Sequence, residues 1–244
     1  MNKVIIPIVT LVGFVSLLLL YLAGAGYRSG SFELGQAFTI LRYCAYAGIA
    51  SVGLVIFTLL WLRPQGLQLV LMFFSALAGL AAFYLPYRQQ QIASMVPPIH
   101  DITTDIADPP QFVAVLPLRA SAPNPPEYLG GETPELQREF YPDIMSRAYI
   151  QTNAEVFAAA AEIINEMGWE LVEANEAEGR LEATVTTQWF GFKDDVVIRL
   201  EEGPADSTVF DVRSKSRIGL SDIGVNANRI RSFISALNTK MMVE

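Results

Sequence analysis

Five basic side chains near the C-terminus form the strongest candidate for a binding site in this sequence. Strand alternation places the first three on the exposed side of the last predicted strand, and the other two fall in the helix that follows. Because a helix N-terminus also favours anions, the cluster would suit an anion, a lipid headgroup or the acidic face of a partner. The five residues are Arg213, Lys215, Arg217, Arg229 and Arg231. The alternative is internal charge pairing with Asp194, Asp195, Asp211 and Asp222.

The residue types that usually hold metals or carry out catalysis are scarce. His100 is the only histidine, and Cys44, the only cysteine, lies inside an apolar stretch, so a zinc site of the usual ligands is excluded. His100 and Asp101 could form part of a Ser-His-Asp set, but no G-x-S-x-G motif accompanies them. We interpret His100 as a polar loop residue. The sequence therefore predicts no catalytic residue and no enzyme activity.

Two further patterns resemble ligand sites but lack essential parts. Asp101, Asp105 and Asp108 are spaced like the start of a calcium loop, yet the glycine and the terminal glutamate of that loop are missing. Capping of a helix or a turn before Pro109 is the interpretation we favour. The pair at residues 130–131 (GG) lacks the Lys-Ser/Thr that a phosphate-binding loop needs. We expect no metal and no cofactor.

Charge and hydropathy divide the chain into two parts. The 244 residues are 52% hydrophobic, with a mean hydropathy of +0.33 and only 17% charged residues, against about 25% in soluble domains. Five basic residues and one acidic residue occur up to Arg88, whereas 12 basic and 24 acidic residues follow. The acidic second part argues against binding to nucleic acid, since contact with phosphates needs a surplus of Lys and Arg.

Three apolar runs in the first part are long enough to cross a bilayer, which takes about 17–25 residues. They cover residues 4–22, 38–62 and 67–85, and residues 63–66 (RPQG) would turn the second and third into a hairpin. Small residues recur at four-residue spacing, as in Ser75/Gly79 and Ala78/Ala82, which allows helices to approach closely. We expect residues 1–88 to be a three-helix transmembrane anchor in contact with membrane lipids.

The short N-terminus and the tight hairpin favour an inside start for the first helix. Three crossings then place the acidic second part outside. We expect a bacterial inner-membrane protein with its C-terminal domain in the periplasm, although the basic residues flanking the helices are nearly balanced and decide little.

The remainder is predicted to be a proline-rich linker and wrapping segment, residues 89–151, followed by an α+β domain, residues 152–244. A capping box at Thr152 and Glu155 starts a helix over residues 153–167. Four strands are predicted at residues 169–174, 180–190, 195–201 and 207–215, with a last helix at residues 226–241. The fold class is α+β: three transmembrane helices, then a two-layer sandwich of an antiparallel four-stranded sheet with two helices. One face of the sheet is expected to be covered and the other solvated.

Three motifs in order resemble a known bacterial and plastid family. They are residues 98–105 (PIHDITTD) with 108–112 (DPPQF), residues 190–195 (FGFKDD), and residues 211–219 (DVRSKSRIG) with 222–231 (DIGVNANRIR). The stretch of about residues 98–237 resembles the family known as domain of unknown function 1499, of which some members carry a membrane anchor. The resemblance implies a domain boundary and implies no activity.

Two classes of function are compatible with these features. The first is a noncatalytic integral membrane protein, an accessory or assembly subunit whose α+β domain docks on a membrane-protein partner. The alternative is a module that binds a lipid or another small ligand at the membrane surface, between the sheet and its helices.

Overall fold

The computed structural model describes residues 2–204 and 207–242, the side chains of residues 2 and 3 excepted. The chain forms two compact units. The first comprises residues 2–94 together with Gln188–Gly191, and the second comprises Met95–Thr187 and residues 192–242.

Three long apolar helices make up most of the first unit. They are α1 (Asn2–Arg28), α2 (Leu34–Leu62) and α3 (Leu67–Met95). Each is long and apolar enough to cross a membrane, with mean hydropathies of 2.6, 2.0 and 2.0 over their most apolar windows. The apolar runs identified in the sequence all lie within these helices, so the prediction of three membrane-capable helices is confirmed.

Small residues bring the three helices into close contact, as their spacing predicts. A Cβ atom built on Gly48 of α2 would lie 2.5 Å from the carbonyl oxygen of Gly79 in α3, and one on Gly79 would collide with Ser51. A Cβ on Gly13 of α1 would collide with Ser75 of α3. The backbones therefore meet where a side chain is missing.

The four residues Gln188–Gly191 pack within this first unit. The indole N–H of Trp189 donates to the carbonyl oxygen of Tyr21 at 3.0 Å. The ring of Phe190 lies 5.9 Å from the rings of both Tyr27 and Phe38. Packing is thus the observed use of Trp189 and Phe190.

The second unit contains a six-stranded antiparallel sheet. Its strands are β1 (Asp101–Thr103), β2 (Arg147–Tyr149), β3 (Glu170–Asn175), β4 (Arg180–Thr186), β5 (Lys193–Glu202) and β6 (Thr208–Ser216). The order is β1-β6-β5-β4-β3, and β2 pairs with the first part of β6. Between β1 and β2, Thr104 also pairs with β6. Its N–H donates to the carbonyl oxygen of Val212, and its hydroxyl accepts from the N–H of Val212.

Two helices cover one face of the sheet. They are α5 (Asn153–Glu166), which begins at the predicted capping box of Thr152 and Glu155, and α6 (Val225–Met242). Gly168, with a φ of +68°, follows the end of α5. Their apolar stripes meet the inward side chains of β4, β5 and β6 in one core that includes Ile163, Ile198, Phe210 and Phe233. The predicted α+β fold is confirmed.

The sheet differs from the prediction in its strand number. It has six strands rather than four, because the segment predicted to be irregular supplies β1 and β2. That segment also contains a helix, α4 (Thr133–Phe140), with Pro134 in its first turn, where a missing N–H costs nothing. Residues 114–116 form a turn that leads into a short 3-10 helix, Pro117–Arg119.

The second face of the sheet is covered as well, and the expectation of a solvated face is wrong. Glu182, Thr184, Arg213 and Lys215 all point to this face, and all are buried. Part of the predicted linker and wrapping segment lies over them, and from here on only this part, residues 105–128, is called the wrapping segment. Its Phe112 and Val115 pack on Val197. Alternation predicted correctly which residues share this face, but it could not show that a distant proline-rich segment covers it.

Candidate functional site

A buried network of charges fills the space between the second sheet face and the wrapping segment. One centre of this network is Asp101 in β1, which the antiparallel register places opposite Lys215 of β6. The guanidinium of Arg213 donates two hydrogen bonds to the Asp101 carboxylate, at 2.9 and 2.8 Å. The Lys215 ammonium lies 2.9 Å from the same carboxylate. All three side chains are almost completely shielded from solvent.

The remaining donors of Arg213 and Lys215 bind the wrapping segment. Arg213 donates to the carbonyl oxygens of Pro110 and Pro126, at 3.1 and 2.9 Å, and Lys215 donates to that of Glu127 at 2.6 Å. Burial lowers the pKa of the Lys215 ammonium, because desolvation penalises the charged form, while the charge of Asp101 opposes this shift. The two cations therefore connect the sheet to the chain that covers it.

Asp195 of β5 is the second centre of the network. Arg217 donates to its carboxylate at 2.8 and 2.7 Å, the Thr184 hydroxyl donates at 2.7 Å, and Arg119 of the wrapping segment donates at 2.5 Å. Burial lowers the pKa of the Arg119 guanidinium, and the neighbouring Asp195 carboxylate opposes that shift. Arg217 also donates to the carbonyl oxygen of Leu118 at 2.8 Å.

At a third centre the sheet supplies an anion to the wrapping segment instead of a cation. The buried carboxylate of Glu182 in β4 accepts the backbone N–H groups of Val113, Ala114 and Val115, at 2.9, 2.9 and 3.0 Å. Consecutive N–H groups that converge in this way form a nest for an anion. Cations of the sheet thus bind carbonyl groups of the wrapping segment, and an anion of the sheet binds N–H groups of the same segment.

The charges at the first two centres are unequal. Arg119, Arg213, Lys215 and Arg217 face two carboxylates. Backbone carbonyl oxygens of the wrapping segment accept further hydrogen bonds from Arg213, Lys215 and Arg217. Burying a charge is costly unless it is paired and hydrogen-bonded. The backbone of the wrapping segment is therefore part of the electrostatic environment that makes this cluster tolerable.

Two of the five predicted basic residues lie outside this network. Arg229 of α6 donates to Asp194 at 2.6 Å and to Ser214 at 2.9 Å. Arg231 donates to Asp143 at 2.7 and 2.6 Å and lies over the ring of Tyr141.

The five residues therefore do not form one exposed patch, and that expectation is corrected. Arg213 and Lys215 are buried together, Arg217 joins the neighbouring centre, and the other two make separate pairs. Internal charge pairing, the alternative, is what the structure contains. Of the four partners considered, it uses Asp194 and Asp195, whereas Asp211 pairs with Arg199.

The three aspartates considered for calcium binding, Asp101, Asp105 and Asp108, do not form one site. Asp105 and Asp108 both pair with Arg199, at 3.0 and 2.9 Å, whereas Asp101 belongs to the buried network. Among residues 2–204 and 207–242, no group of three or more His, Cys, Asp or Glu side chains is arranged to hold a metal ion.

His100 is buried beside the network. Its Nδ1 atom lies 3.4 Å from the carbonyl oxygen of Leu220, and its Nε2 atom has no hydrogen-bond partner among the described residues. Burial lowers its pKa, and the nearby charge of Lys215 acts in the same direction, while the hydrogen bond with Leu220 and the charge of Asp101 oppose them.

Sequence reasoning named Asp195 as a partner of the basic residues, but it missed the pairing roles of Asp101, Glu182 and Arg119. One signal was present: residues 109–126 contain a single charged residue, Arg119. A lone arginine in an 18-residue uncharged segment is a candidate for burial against a carboxylate. The identity of that carboxylate depends on contacts across 76 positions of sequence.

The network lies inside a domain that comparison with known families identifies. The model of the family described as protein of unknown function (DUF1499) matches residues 101–237, more than half of the chain. The chain belongs to this family. The matched region begins at Asp101 and includes Glu182 and Asp195, so all three centres of the buried network belong to the family domain. No curated protein matches the chain.

Proposed function

We propose that the chain is a noncatalytic integral membrane protein, an accessory or assembly subunit whose family domain docks on a membrane-protein partner. The observation that supports this proposal is the buried network. A catalytic acid, base or nucleophile must come within hydrogen-bond reach of a substrate. In the family domain, the clustered groups of that kind bind one another and the wrapping segment. The domain is thus better suited to present a surface than to process a ligand.

The outer surface offers apolar side chains for such docking. Ile150 is 91% exposed, and Leu129 and Met145 are also exposed on the second unit. Single exposed apolar residues are ordinary in soluble domains, and these side chains are the apolar surface that a partner would cover.

The membrane is proposed to be the bacterial inner membrane, with the family domain in the periplasm. The support is the short connection between α2 and α3, which favours the cytoplasmic side. A crossing by α3 from that side would put the chain that follows it in the periplasm.

Lipid binding at the membrane surface is the second candidate function. An apolar ligand between the sheet and its helices would have to separate Phe210 from Phe233, whose stacked rings have centroids 6.0 Å apart. The end of the sheet near Leu118 and Leu220 favours a different mode of lipid binding, in which these exposed leucines contact the bilayer itself. In this mode the hydrophobic core between the sheet and its helices stays closed.

Extraction of the protein from its native membrane in polymer-bounded nanodiscs tests the docking proposal. A photo-crosslinking amino acid at Ile150 or Leu129 is expected to form a discrete adduct with another membrane protein. The same amino acid at Tyr43, an exposed position on α2, is the matched control for nonspecific capture by the membrane. If native mass measurement finds only the 26.9 kDa chain or its multiples, and no adduct forms, the proposal is wrong.

A further inference from the structure

The two ends of the sheet in the second unit differ in charge. We call the end of the sheet at which β1 begins the near end. The register places the start of β5 and the ends of β4 and β6 there too, since Asp101 pairs with Lys215, Asp194 with Ser216, and Thr186 with Lys193. The opposite end, where β3 turns into β4 and β5 turns towards β6, is the far end. Exposed carboxylates of these turns gather at the far end: Glu176, Glu178, Glu201 and Glu202.

The near end has one such exposed acid in its strands, Glu170, which begins β3 and pairs with Thr184. Asp101, Asp194 and Asp195 are buried there, and Asp222 is partly buried and accepts the N–H groups of Gly224 and Asn226. The ammonium of Lys193 is exposed at the same end and offsets the charge of Glu170. The exposed charges of the described strands and turns are therefore balanced at the near end and acidic at the far end.

The near end also presents leucine side chains to solvent. Leu220, in the loop after β6, is 83% exposed, and Leu118 of the wrapping segment is 49% exposed. Arg217 and Asn124 connect them: Arg217 donates to the carbonyl oxygen of Leu118, and Asn124 donates to those of Arg217 and Gly219.

The loop that carries Leu220 is held firmly by these bonds. Ile223 within it has a φ of +52°, which a β-branched residue rarely adopts. A strained backbone of this kind persists only where its surroundings determine it. The exposed Leu220 is thus displayed by a fixed loop rather than by a loose one.

The covalent connection of the near end indicates a lipid surface as the group that these leucines would contact. Helix α3, which is apolar enough to cross a membrane, ends at Met95, and β1 begins six residues later at Asp101. Extended chain of that length reaches at most about 20 Å. The strand that begins at the near end is therefore joined to a membrane-capable helix by a short segment of chain.

We propose that the near end is a lipid-contacting surface, on which Leu118 and Leu220 enter the interface of the bilayer and Lys193 pairs with lipid phosphate groups. Apolar side chains beside a cation suit this interface, because the side chains bury in it while the cation meets headgroup phosphates. The exposed carboxylates of the far end would be repelled by the same phosphates. This inference rests on the membrane anchoring and on the second candidate function, and it needs no protein partner.

Fluorescent labels at single cysteines test the contact in full-length protein carrying Cys44→Ser. The labelled positions are Leu118→Cys and Leu220→Cys, with Ile150→Cys as the control, because Ile150 is exposed and follows β2 at the other end of β6. The purified chain is placed in nanodiscs of phosphatidylcholine and phosphatidylglycerol that contain nitroxide-labelled lipid. We expect several-fold stronger quenching at positions 118 and 220 than at position 150.

Each alternative outcome contradicts a definite part of the proposal. Equal quenching at all three positions would overturn the lipid contact. Quenching at positions 118 and 220 that is unchanged after Lys193→Glu would overturn the pairing of Lys193 with lipid phosphate. If position 220 is not quenched by lipid in nanodiscs but is shielded from aqueous iodide in native membranes, the surface binds a protein instead. Because the nanodiscs contain no partner, loss of the docking proposal would leave the first result unaffected.

Discussion

Asp101 compensates two fully buried cations, and its removal has a predictable cost. Asp101→Asn would leave Arg213 and Lys215 without their shared carboxylate. Breaking a buried ion pair in this way costs about 3–5 kcal/mol. The expected result is a matching fall in the opening free energy of β6, measured by hydrogen exchange of its amides in the full-length protein in nanodiscs.

Asp143→Asn is the matched control for this substitution. Asp143 accepts the same two-bond arrangement from Arg231, but both side chains of that pair are substantially exposed, at 53% and 39%. Exposed pairs contribute about 0–1 kcal/mol. If the two variants lose similar stability, the buried carboxylate does not have the role assigned to it.

His100 gives a pH dependence with a definite sign. Its pKa in the folded protein is lowered from the ordinary value of 6.5, mainly by burial, so the unfolded chain binds the proton more readily. Stability from this residue is therefore present above pH 6.5 and is lost as the pH falls through the window below it.

Because His100 is the only histidine, its imidazole C–H signals can be assigned directly in an NMR titration. We expect a midpoint below 6.5, and His100→Gln should remove the corresponding part of the pH dependence of thermal unfolding. A midpoint at or above 6.5 would contradict the burial described for this side chain.

The wrapping segment is an element whose position depends on side chains from the sheet. Glu182→Ala would leave the N–H groups of Val113, Ala114 and Val115 without their acceptor. Loss of hydrogen bonds to a charged group costs about 1.5–3 kcal/mol, which corresponds to roughly 10- to 150-fold faster amide exchange by local opening. Hydrogen exchange of residues 113–115 measures this effect.

Glu178→Ala provides the comparison for that experiment. Glu178 lies in the turn before β4 and its exposed carboxylate pairs with Arg180, which also contacts Glu182. We expect exchange at residues 113–115 to remain unchanged in this variant. Faster exchange in both variants would show that Arg180, rather than the N–H nest, controls the segment.

At the scale of the whole molecule, the proposed topology makes a prediction about compartments. Three crossings with an inside start place the C-terminus outside, so alkaline phosphatase fused there should be active and a cytoplasm-dependent fluorescent protein should be dark. The full-length chain should also stay in the membrane after carbonate washing. A bright fluorescent fusion with inactive phosphatase would reverse the orientation, and release by carbonate would contradict the anchoring.

Local patterns in the sequence predicted the parts of this molecule that depend on local physics. Hydropathy predicted α1, α2 and α3, the capping box predicted the start of α5, and turn residues predicted β3, β4, β5 and β6 within a few positions. The same residues do not reveal β1 and β2, because three-residue strands have no measurable alternation of their own.

For the candidate site, the sequence predicted which basic residues share a face but not that they are buried. Arg213, Lys215 and Arg217 do share a face, but their burial follows from residues about 90–110 positions earlier in the chain, which pair with them only in the fold. A single sequence carries no direct information on such a pairing. The proline content of the wrapping segment indicated extended chain without indicating what that chain covers.

The separation between the wrapping segment and the strands beneath it has a consequence during biosynthesis. Residues 105–128 leave the ribosome before β4, β5 and β6 have been made, and the bond from Arg213 to Pro110 spans 103 positions. Translation at about 5–20 residues per second leaves this stretch waiting for several seconds without its binding surface. Chains that stop before β6 would never obtain that surface, so a quality-control protease could recognise unfinished molecules by their uncovered proline-rich stretch.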